Sequence, residues 1–205
     1  MKAGFVHNQE NLKEKIIVVA KNIVADQGLS ALNVREIAKR AECAVGMVYK
    51  VLKGIDDIVI HVNAHTLGDL HKRLKKVKRE NKPEAIINEL VYSYINFHKT
   101  NPHFWSALFE YHYDDEFIIP SFYEKKIEAI FLTIEEALLP VLNNNADKAY
   151  NTARILWAGA HGICSLSLCG SLSRVKIRSE KELIDTLVTD CLLSAKETVE
   201  HTSMK

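Results

Sequence analysis

The sequence lacks any run of about eighteen apolar residues, the length that a helix needs to cross a bilayer. The N-terminal stretch MKAGFVHNQENLKEK contains no apolar segment followed by small residues, which a secretory signal requires. No Cys-x-x-Cys pair occurs among the four cysteines, Cys43, Cys164, Cys169 and Cys191. These absences argue against a disulfide framework and a structural zinc site, and we expect a cytoplasmic protein with reduced thiols and no membrane contact.

The short motifs of common enzymes are also missing. We find no nucleophile elbow, phosphate-binding loop or dinucleotide fingerprint. His61 and His65 have a spacing that can hold zinc, but the segment HVNAH lacks the glutamate of the HExxH motif. We therefore expect a protein that is not an enzyme and that needs neither a metal nor a cofactor. A carboxylate or histidine pair assembled by folding is the alternative that the sequence leaves open.

Glycine and proline are sparse, at eight and four residues, and they fall between segments with helical periodicity. No alternating strand pattern is present. The sequence therefore predicts an all-α fold of about nine helices, divided into an N-terminal domain of short helices over 1–54 and a larger helical domain over 55–205. The predicted helices lie at about 9–27, 33–41, 45–52, 56–79, 84–99, 104–111, 120–139, 147–168 and 180–199.

Charge is unevenly distributed along a chain whose net charge is only +1. Residues 1–54 carry nine Lys and Arg against five Asp and Glu, so the N-terminal segment is basic and the remainder is slightly acidic. A basic segment on a nearly neutral chain favours local contact with a polyanion such as DNA.

Two short helices joined by a tight turn within residues 33–53 predict a helix-turn-helix. Asn33 is a good N-cap for the first of them, and Glu36 follows at the spacing of a capping box. Small residues begin the second helix, so its backbone can approach base edges in a major groove. The predicted apolar frame consists of Val34, Ile37, Ala38 and Tyr49.

Residues 33–59, NVREIAKRAECAVGMVYKVLKGIDDIV, resemble the DNA-binding head of the tetracycline-repressor (TetR) family. The matching positions are Val34, Ile37, Ala38, Ala41, Val45, Gly46 and Tyr49, followed by Asp56 and Asp57. By that resemblance, four residues face the bases, namely Ala44, Val45, Gly46 and Met47. Four others hold the DNA backbone, namely Asn33, Tyr49, Lys50 and Lys53. The alternative is a plain helical hairpin with Tyr49 in its core.

Several positions depart from the family pattern, and one departure is that Val51 and Leu52 replace the usual aromatic after Tyr49. The turn usually carries Gly where Glu42 stands, and Ser or Thr where Ala44 stands. The lysine that commonly opens the next helix is replaced by Ile55. We therefore expect a head whose fold is intact and whose affinity for DNA is weaker or unusual.

A second resemblance lies in LWAGAHGICSL, residues 156–166, where Trp157, His161 and Gly162 are similar to the Trp-His-Gly signature of a C-terminal domain found in some members of the family. Trp157 and His161 share one helix face at this spacing. The resemblance implies a direct ligand role for His161. Packing in the core or at a dimer seam is an equally weighted alternative.

Aromatic residues concentrate between residues 92 and 131 and can line a cavity for a small-molecule effector. An ordinary core is the alternative for each of them taken singly. The predicted ligand-binding residues are Phe97, Trp105, Phe109, Phe131, Trp157 and His161.

The last predicted helix has two apolar rows, so it can serve the protein's own core and a partner chain. We predict a homodimeric repressor that is joined through the last two helices, binds a palindromic double-stranded operator and is released by the effector. The alternative is a ligand-binding or protein-interaction module with a decayed DNA head. The basic run HKRLKKVKRE, residues 71–80, fits a solvated helix end, or else a site for an acidic partner or anionic ligand.

Overall fold

A computed structural model describes residues 2–79, 82–174, 176 and 179–197, with side chains from residue 9 onward. Within these ranges all regular structure is helical, which confirms the all-α prediction. The α-helices are α1 (Lys2–Gln27), α2 (Val34–Arg40), α3 (Val45–Val51), α4 (Ile55–Lys75), α5 (Pro83–Thr100), α6 (Pro102–Phe109), α7 (Ser121–Leu138), α8 (Ala146–Leu168), α9 (Ser171–Arg174) and α10 (Glu180–Glu197). None of the described helices is long and apolar enough to pass through a membrane.

The helix bounds lie close to those that periodicity predicts, with four differences. Helix α4 ends at Lys75, four residues before the predicted end at residue 79. The first helix begins at Lys2 rather than near residue 9. A 3-10 turn over Leu29–Ala31 occupies the predicted linker, and another over Leu139–Val141 follows α7. The predicted loop after α8 contains the four-residue helix α9.

The chain divides into two compact units. The first consists of residues 1–69 and 101–126, and the second of residues 70–100 and 127–205. These units are defined by packing and not by function. The predicted boundary at residue 54 between the DNA-binding and effector domains therefore stays a prediction.

In the first unit, α1 packs on α2, α3 and α6. Ile16, Ala20 and Ile23 lie on one face of α1 and are fully buried. Gly28 ends the helix with a φ of 79° while its N–H donates to the carbonyl of Val24. Glycine suits this position, because a positive φ is costly for residues with a side chain.

In the second unit, α10 packs on α8 and α5. Its row Ile184, Val188 and Leu192 is buried, whereas the neighbouring row around Leu187 is only partly covered. An added Cβ at Gly159 would lie 2.7 Å from the Leu187 side chain, so the glycine allows the close contact between α8 and α10.

Candidate DNA-binding and effector sites

Asn33 starts the helix-turn-helix as the sequence predicts. Its Oδ1 accepts a hydrogen bond from the N–H of Glu36 at 2.9 Å, and its Nδ2 donates to the carbonyl of Ala31. The Glu36 carboxylate instead accepts from Nε of Arg40 at 2.7 Å, so only half of the capping box forms. The amide of Asn33 is exposed, and its capping bonds fix it at the first turn of α2.

The turn between α2 and α3 is a helix-ending motif with one unusual residue. The N–H of Cys43 donates to the carbonyl of Ala38, and the N–H of Glu42 donates to that of Lys39. This bonding pattern usually places glycine at the position of Glu42, because the residue there is left-handed. Glu42 has a φ of 54°, so a glutamate occupies a conformation that costs about 1 kcal/mol for a side-chain-bearing residue.

Helix α3 is held to the first unit by Val48 and by Leu52 just after its end, both fully buried. Tyr49 is 55% exposed, so its predicted place in the apolar frame is wrong, and so is the hairpin alternative with Tyr49 in the core. The phenol points away from the protein core, which leaves it accessible to DNA.

The N-terminus of α3 is open. Ala44 is its N-cap and makes no side-chain capping bond, because it lacks the hydroxyl that usually fills this role. Nothing lies within 4 Å of an added Cβ at Gly46, so the glycine is not required by packing within the described structure. The backbone around Gly46 is thus accessible to a major groove.

The remaining predicted DNA contacts lie on the same short segment. The side chains of Lys50 and Lys53 are exposed, and Met47 is half-buried. The backbone N–H of Lys53 donates to the carboxylate of Asp57 at 3.0 Å, which fixes the link between α3 and α4. Of the eight predicted DNA-binding residues, all but Met47 are exposed.

Glu42 places a negative charge on this surface, and Lys15 of α1 partly neutralises that charge. The two side chains form an ion pair at 3.0 Å. Both are largely exposed, so the pair contributes little to folding stability. It does reduce the repulsion that the carboxylate would exert on DNA phosphates.

The six predicted effector residues divide between the two units. Trp105 and Phe109 belong to the first, where their ring centroids lie 4.6 Å apart and Trp105 is fully buried. The other four belong to the second, and three of them are partly accessible: Phe131, Trp157 and His161. Phe97 is buried in α5.

The second unit brings three of these rings together. The ring of Phe131 meets Trp157 edge-on at 5.9 Å, and Trp157 stacks on His161 at 5.5 Å. The guanidinium of Arg154 lies 4.6 Å from the centre of the Phe131 ring and pairs with Glu135. The predicted i, i+4 contact between Trp157 and His161 is thus observed.

Tyr94 belongs to the aromatic segment that the sequence singled out but is not among the six predicted residues, and its hydroxyl lies 3.2 Å from Nδ1 of His161. Tyr94 precedes Phe97 by one helical turn, and that spacing was the signal that could have found it. Burial lowers the pKa of His161 and raises the pKa of Tyr94, so both groups are neutral at pH 7. The cluster therefore offers hydrogen bonds and ring faces without a charged histidine.

His61 and His65 have different surroundings. His61 stacks on Phe122 at 4.9 Å and lies 3.8 Å from the carboxylate of Asp57, while His65 is exposed. Over the described part of the chain, no three potential ligands are grouped closely enough to hold a metal ion.

A family model described as "Tetracyclin repressor-like, C-terminal domain" matches residues 87–191, just over half of the chain. The chain belongs to the tetracycline-repressor family. This regulator therefore combines the family's C-terminal domain with the helix-turn-helix described above. The match does not confirm the Trp-His-Gly subtype, which stays a prediction.

Solved structures show the same fold at low sequence identity. A TetR transcriptional regulator from Rhodococcus sp. RHA1 is 16% identical, with a TM-score of 0.66 over 90% of this chain and 97% of that one. A tetR-family transcriptional regulator from Streptomyces coelicolor is 18% identical, with a TM-score of 0.65 over 93% and 83%. The fatty acid degradation regulator FadR from Bacillus halodurans is 14% identical, with a TM-score of 0.61 over 88% and 94%. No curated protein matches the sequence.

Family and fold together make this tetracycline-repressor relative a DNA-binding transcriptional regulator. Its helix-turn-helix supplies the DNA-binding element, and the C-terminal domain is the family's effector domain. The particular residues that touch DNA or effector remain predictions.

Proposed function

We propose that this regulator is a cytoplasmic homodimeric repressor. It binds a palindromic operator and dissociates from it when a small-molecule effector binds. The observation that supports DNA recognition most strongly is the open face of α3. Tyr49 is exposed, and an added Cβ at Gly46 meets nothing. A short helix anchored on one side and bare on the other has the form of a recognition helix.

Within this proposal, the residues of the helix-turn-helix divide the work between bases and phosphates. The start of α3 enters the major groove with Ala44, Val45, Gly46 and Met47. Phosphates are held by Asn33, Tyr49, Lys50 and Lys53. The DNA-binding function is confined to residues 1–54, and residues 55–205 bind the effector and join the subunits.

The proposed dimer seam is the outer face of α8 and α10. Ile155 on α8 is 58% exposed, and Leu166 lies on the same face three turns later. A groove of about 450 Å³ between the two helices is lined by Ile155, Cys191 and Ser194 among others. Exposed apolar side chains beside an open groove support burial against a second copy, giving a four-helix arrangement.

Ile155→Lys tests the seam, because a lysine at a buried apolar interface carries an unpaired charge. We expect sedimentation velocity to show a dimer for the unchanged protein and a monomer for the variant. Leu132→Lys, on α7 and 50% exposed, is the matched control and should remain dimeric. A variant at Ile155 that stays dimeric would remove this seam from the proposal.

The proposed effector contacts in the second unit centre on Trp157 and His161, with Phe97 and Phe131 as apolar neighbours. Trp105 and Phe109 are the proposed contacts in the first unit. Neutral His161 and the hydroxyl of Tyr94 can anchor a polar group of an otherwise apolar ligand. Release from DNA requires only that the effector bind the DNA-incompetent conformation more tightly than the competent one.

An effector screen follows intrinsic tryptophan fluorescence together with DNA release. A true effector should change the emission of the unchanged protein and dissociate it from its operator. Trp157→Phe should weaken both effects, whereas Tyr150→Phe, an exposed ring on the same helix, should not. Compounds that release DNA equally well from both variants would place the effector elsewhere.

A second candidate is a ligand-binding module whose DNA head has weakened. Three features favour it. Glu42 has a left-handed backbone conformation, Ala44 is an N-cap without a side-chain capping bond, and Ile55 is partly buried and packs against the apolar core. Binding to DNA at low salt separates the two candidates, because a decayed head would select no sequence from a random pool.

A further inference from the structure

A groove of about 490 Å³ lies in the second unit, between the C-terminal end of α4 and the outer face of α5. Its lining residues are Arg73, Lys76, Val77, Lys78, Glu89, Tyr92, Ser93 and Asn96. The groove shares no residue with the effector contacts proposed above. It is therefore a separate feature of the C-terminal domain.

The groove is strongly cationic at the α4 end. Residues 71–82 contain seven Lys and Arg and one Glu, in a chain whose net charge is +1. Among the lining residues, three are cations and one is a carboxylate. Such an excess of one sign along one wall attracts anions and raises their local concentration.

The favourable interaction of cations with the C-terminal end of a helix accounts for only part of this positive charge. Lys72, Arg73 and Lys75 lie in the last turn of α4, where cations interact favourably with the helix dipole. Lys76 and Lys78 come after the helix has ended, and their side chains are exposed. Neither forms an ion pair with any residue that the structure describes, so folding does not explain them.

Backbone hydrogen bonds fix the position of Lys76. The N–H of Lys76 donates to the carbonyl of Arg73 at 3.1 Å, and the N–H of Val77 donates to that of Leu74 at 3.2 Å. The chain thus continues in a tight turn rather than leaving the domain. Arg73 is itself held by a hydrogen bond of 3.3 Å to the hydroxyl of Thr100.

The opposite wall supplies neutral polar groups. Ser93 and Asn96 of α5 line the groove beside the ring of Tyr92, whose hydroxyl donates to the carboxylate of Asp185 at 2.7 Å. A neighbouring groove of about 410 Å³ also includes Tyr92 and Asn96. Two lysines line it, Lys99 and Lys181, and Lys99 is already paired with Glu180.

We propose that this groove binds a small phosphorylated ligand carrying two or more negative charges. Arg73, Lys76 and Lys78 would hold the phosphate oxygens through charge-assisted hydrogen bonds, and Ser93 and Asn96 would complete the shell. The hydroxyl of Ser93 and the amide of Asn96 can donate hydrogen bonds to phosphate oxygens. A phosphorylated metabolite is favoured over an acidic peptide on these grounds.

The test is isothermal titration calorimetry of the full chain at low ionic strength. Pyrophosphate and adenosine diphosphate are the probes, and the heat of binding gives the affinity of each. We expect saturable binding that weakens as salt is added, because salt screens exposed charges. Lys76→Gln combined with Lys78→Gln should weaken binding about tenfold or more. Asn96→Ala should also weaken it without any change of charge.

The matched control is Lys125→Gln combined with Lys176→Gln, two exposed lysines outside the groove. This pair removes the same charge and should leave both affinities nearly unchanged. Three results would overturn the proposal: no saturable heat, equal losses in the two double variants, or tighter binding of a polyglutamate peptide than of pyrophosphate. Melting temperatures of all variants establish that each is folded.

Discussion

The hydroxyl of Tyr94 on α5 lies within hydrogen-bond distance of Nδ1 of His161 on α8, at 3.2 Å. Trp157 stacks on the same imidazole from one turn away. The two helices are thus joined through a neutral histidine in the second unit. A neutral imidazole can form this bond in either tautomer, whereas a protonated one must also carry a charge into a partly desolvated place.

This arrangement predicts an acid-sensitive fold. Burial lowers the pKa of His161 below its usual value of 6.5, so the unfolded chain binds more protons than the folded one in mild acid. The free energy of unfolding should be at its full value above about pH 6.5 and should fall as the pH drops through the lowered pKa. Urea unfolding from pH 5 to pH 7.5 measures this slope.

His161→Gln should flatten that slope, since glutamine keeps polar groups without titrating. Burial also lowers the pKa of His98 and of His61, so part of the slope will remain. Identical slopes for His161→Gln and the unchanged protein would show that this histidine does not couple folding to pH.

Glu42 supports a prediction about stability and DNA binding together. Glu42→Gly relieves the left-handed strain at a φ of 54° and should raise the free energy of unfolding by about 1 kcal/mol. The loss of the exposed ion pair with Lys15 subtracts little from this gain. Thermal melts of the two proteins give the comparison.

Glu42→Gln separates strain from charge. It removes the carboxylate and keeps a side chain in the left-handed position, so the melting temperature should not rise. Both variants should bind DNA more tightly than the unchanged protein, because each removes an acid from the turn before the recognition helix. If Glu42→Gln stabilises the fold as much as Glu42→Gly, the strain argument fails.

A substitution at Gly46 should have opposite effects on stability and on DNA affinity. Gly46→Ala should stabilise α3, by up to about 1 kcal/mol, because alanine has the higher helix propensity and nothing obstructs its Cβ. The same methyl group would stand between the helix and a base edge, so operator affinity should fall. Melting and fluorescence anisotropy on one preparation measure both, and a variant with unchanged affinity would show that DNA does not approach this residue.

Much of this fold follows from periodicity and punctuation in the sequence. Asn33 and Gly28 mark helix ends through capping and left-handed conformation, and both positions behave as local rules predict. Helix α9 escaped prediction because a four-residue helix has no periodicity to detect. The exposure of Tyr49 depends on how α3 packs, which spacing alone does not determine.

The effector residues show where sequence reasoning ends. Phe131, Trp157 and His161 lie together because their helices pack, and only the Trp157–His161 contact is readable from spacing. Trp105 and Phe109 belong to the other compact unit, although they lie closer to Phe97 in sequence than Phe131, Trp157 and His161 do. Aromatic density along a chain therefore predicts a core and does not assign its members to one site.

The central claim is that α3 reads DNA. The most direct test selects a palindromic DNA from a random pool and measures its affinity for the protein by fluorescence anisotropy at several salt concentrations. We predict that the affinity of the full chain falls linearly with salt concentration on logarithmic axes. Tyr49→Ala should weaken binding about tenfold or more with an unchanged melting temperature, because the phenol is exposed. If no DNA is enriched at low salt, or if Tyr49→Ala binds as tightly as the unchanged protein, the claim is wrong.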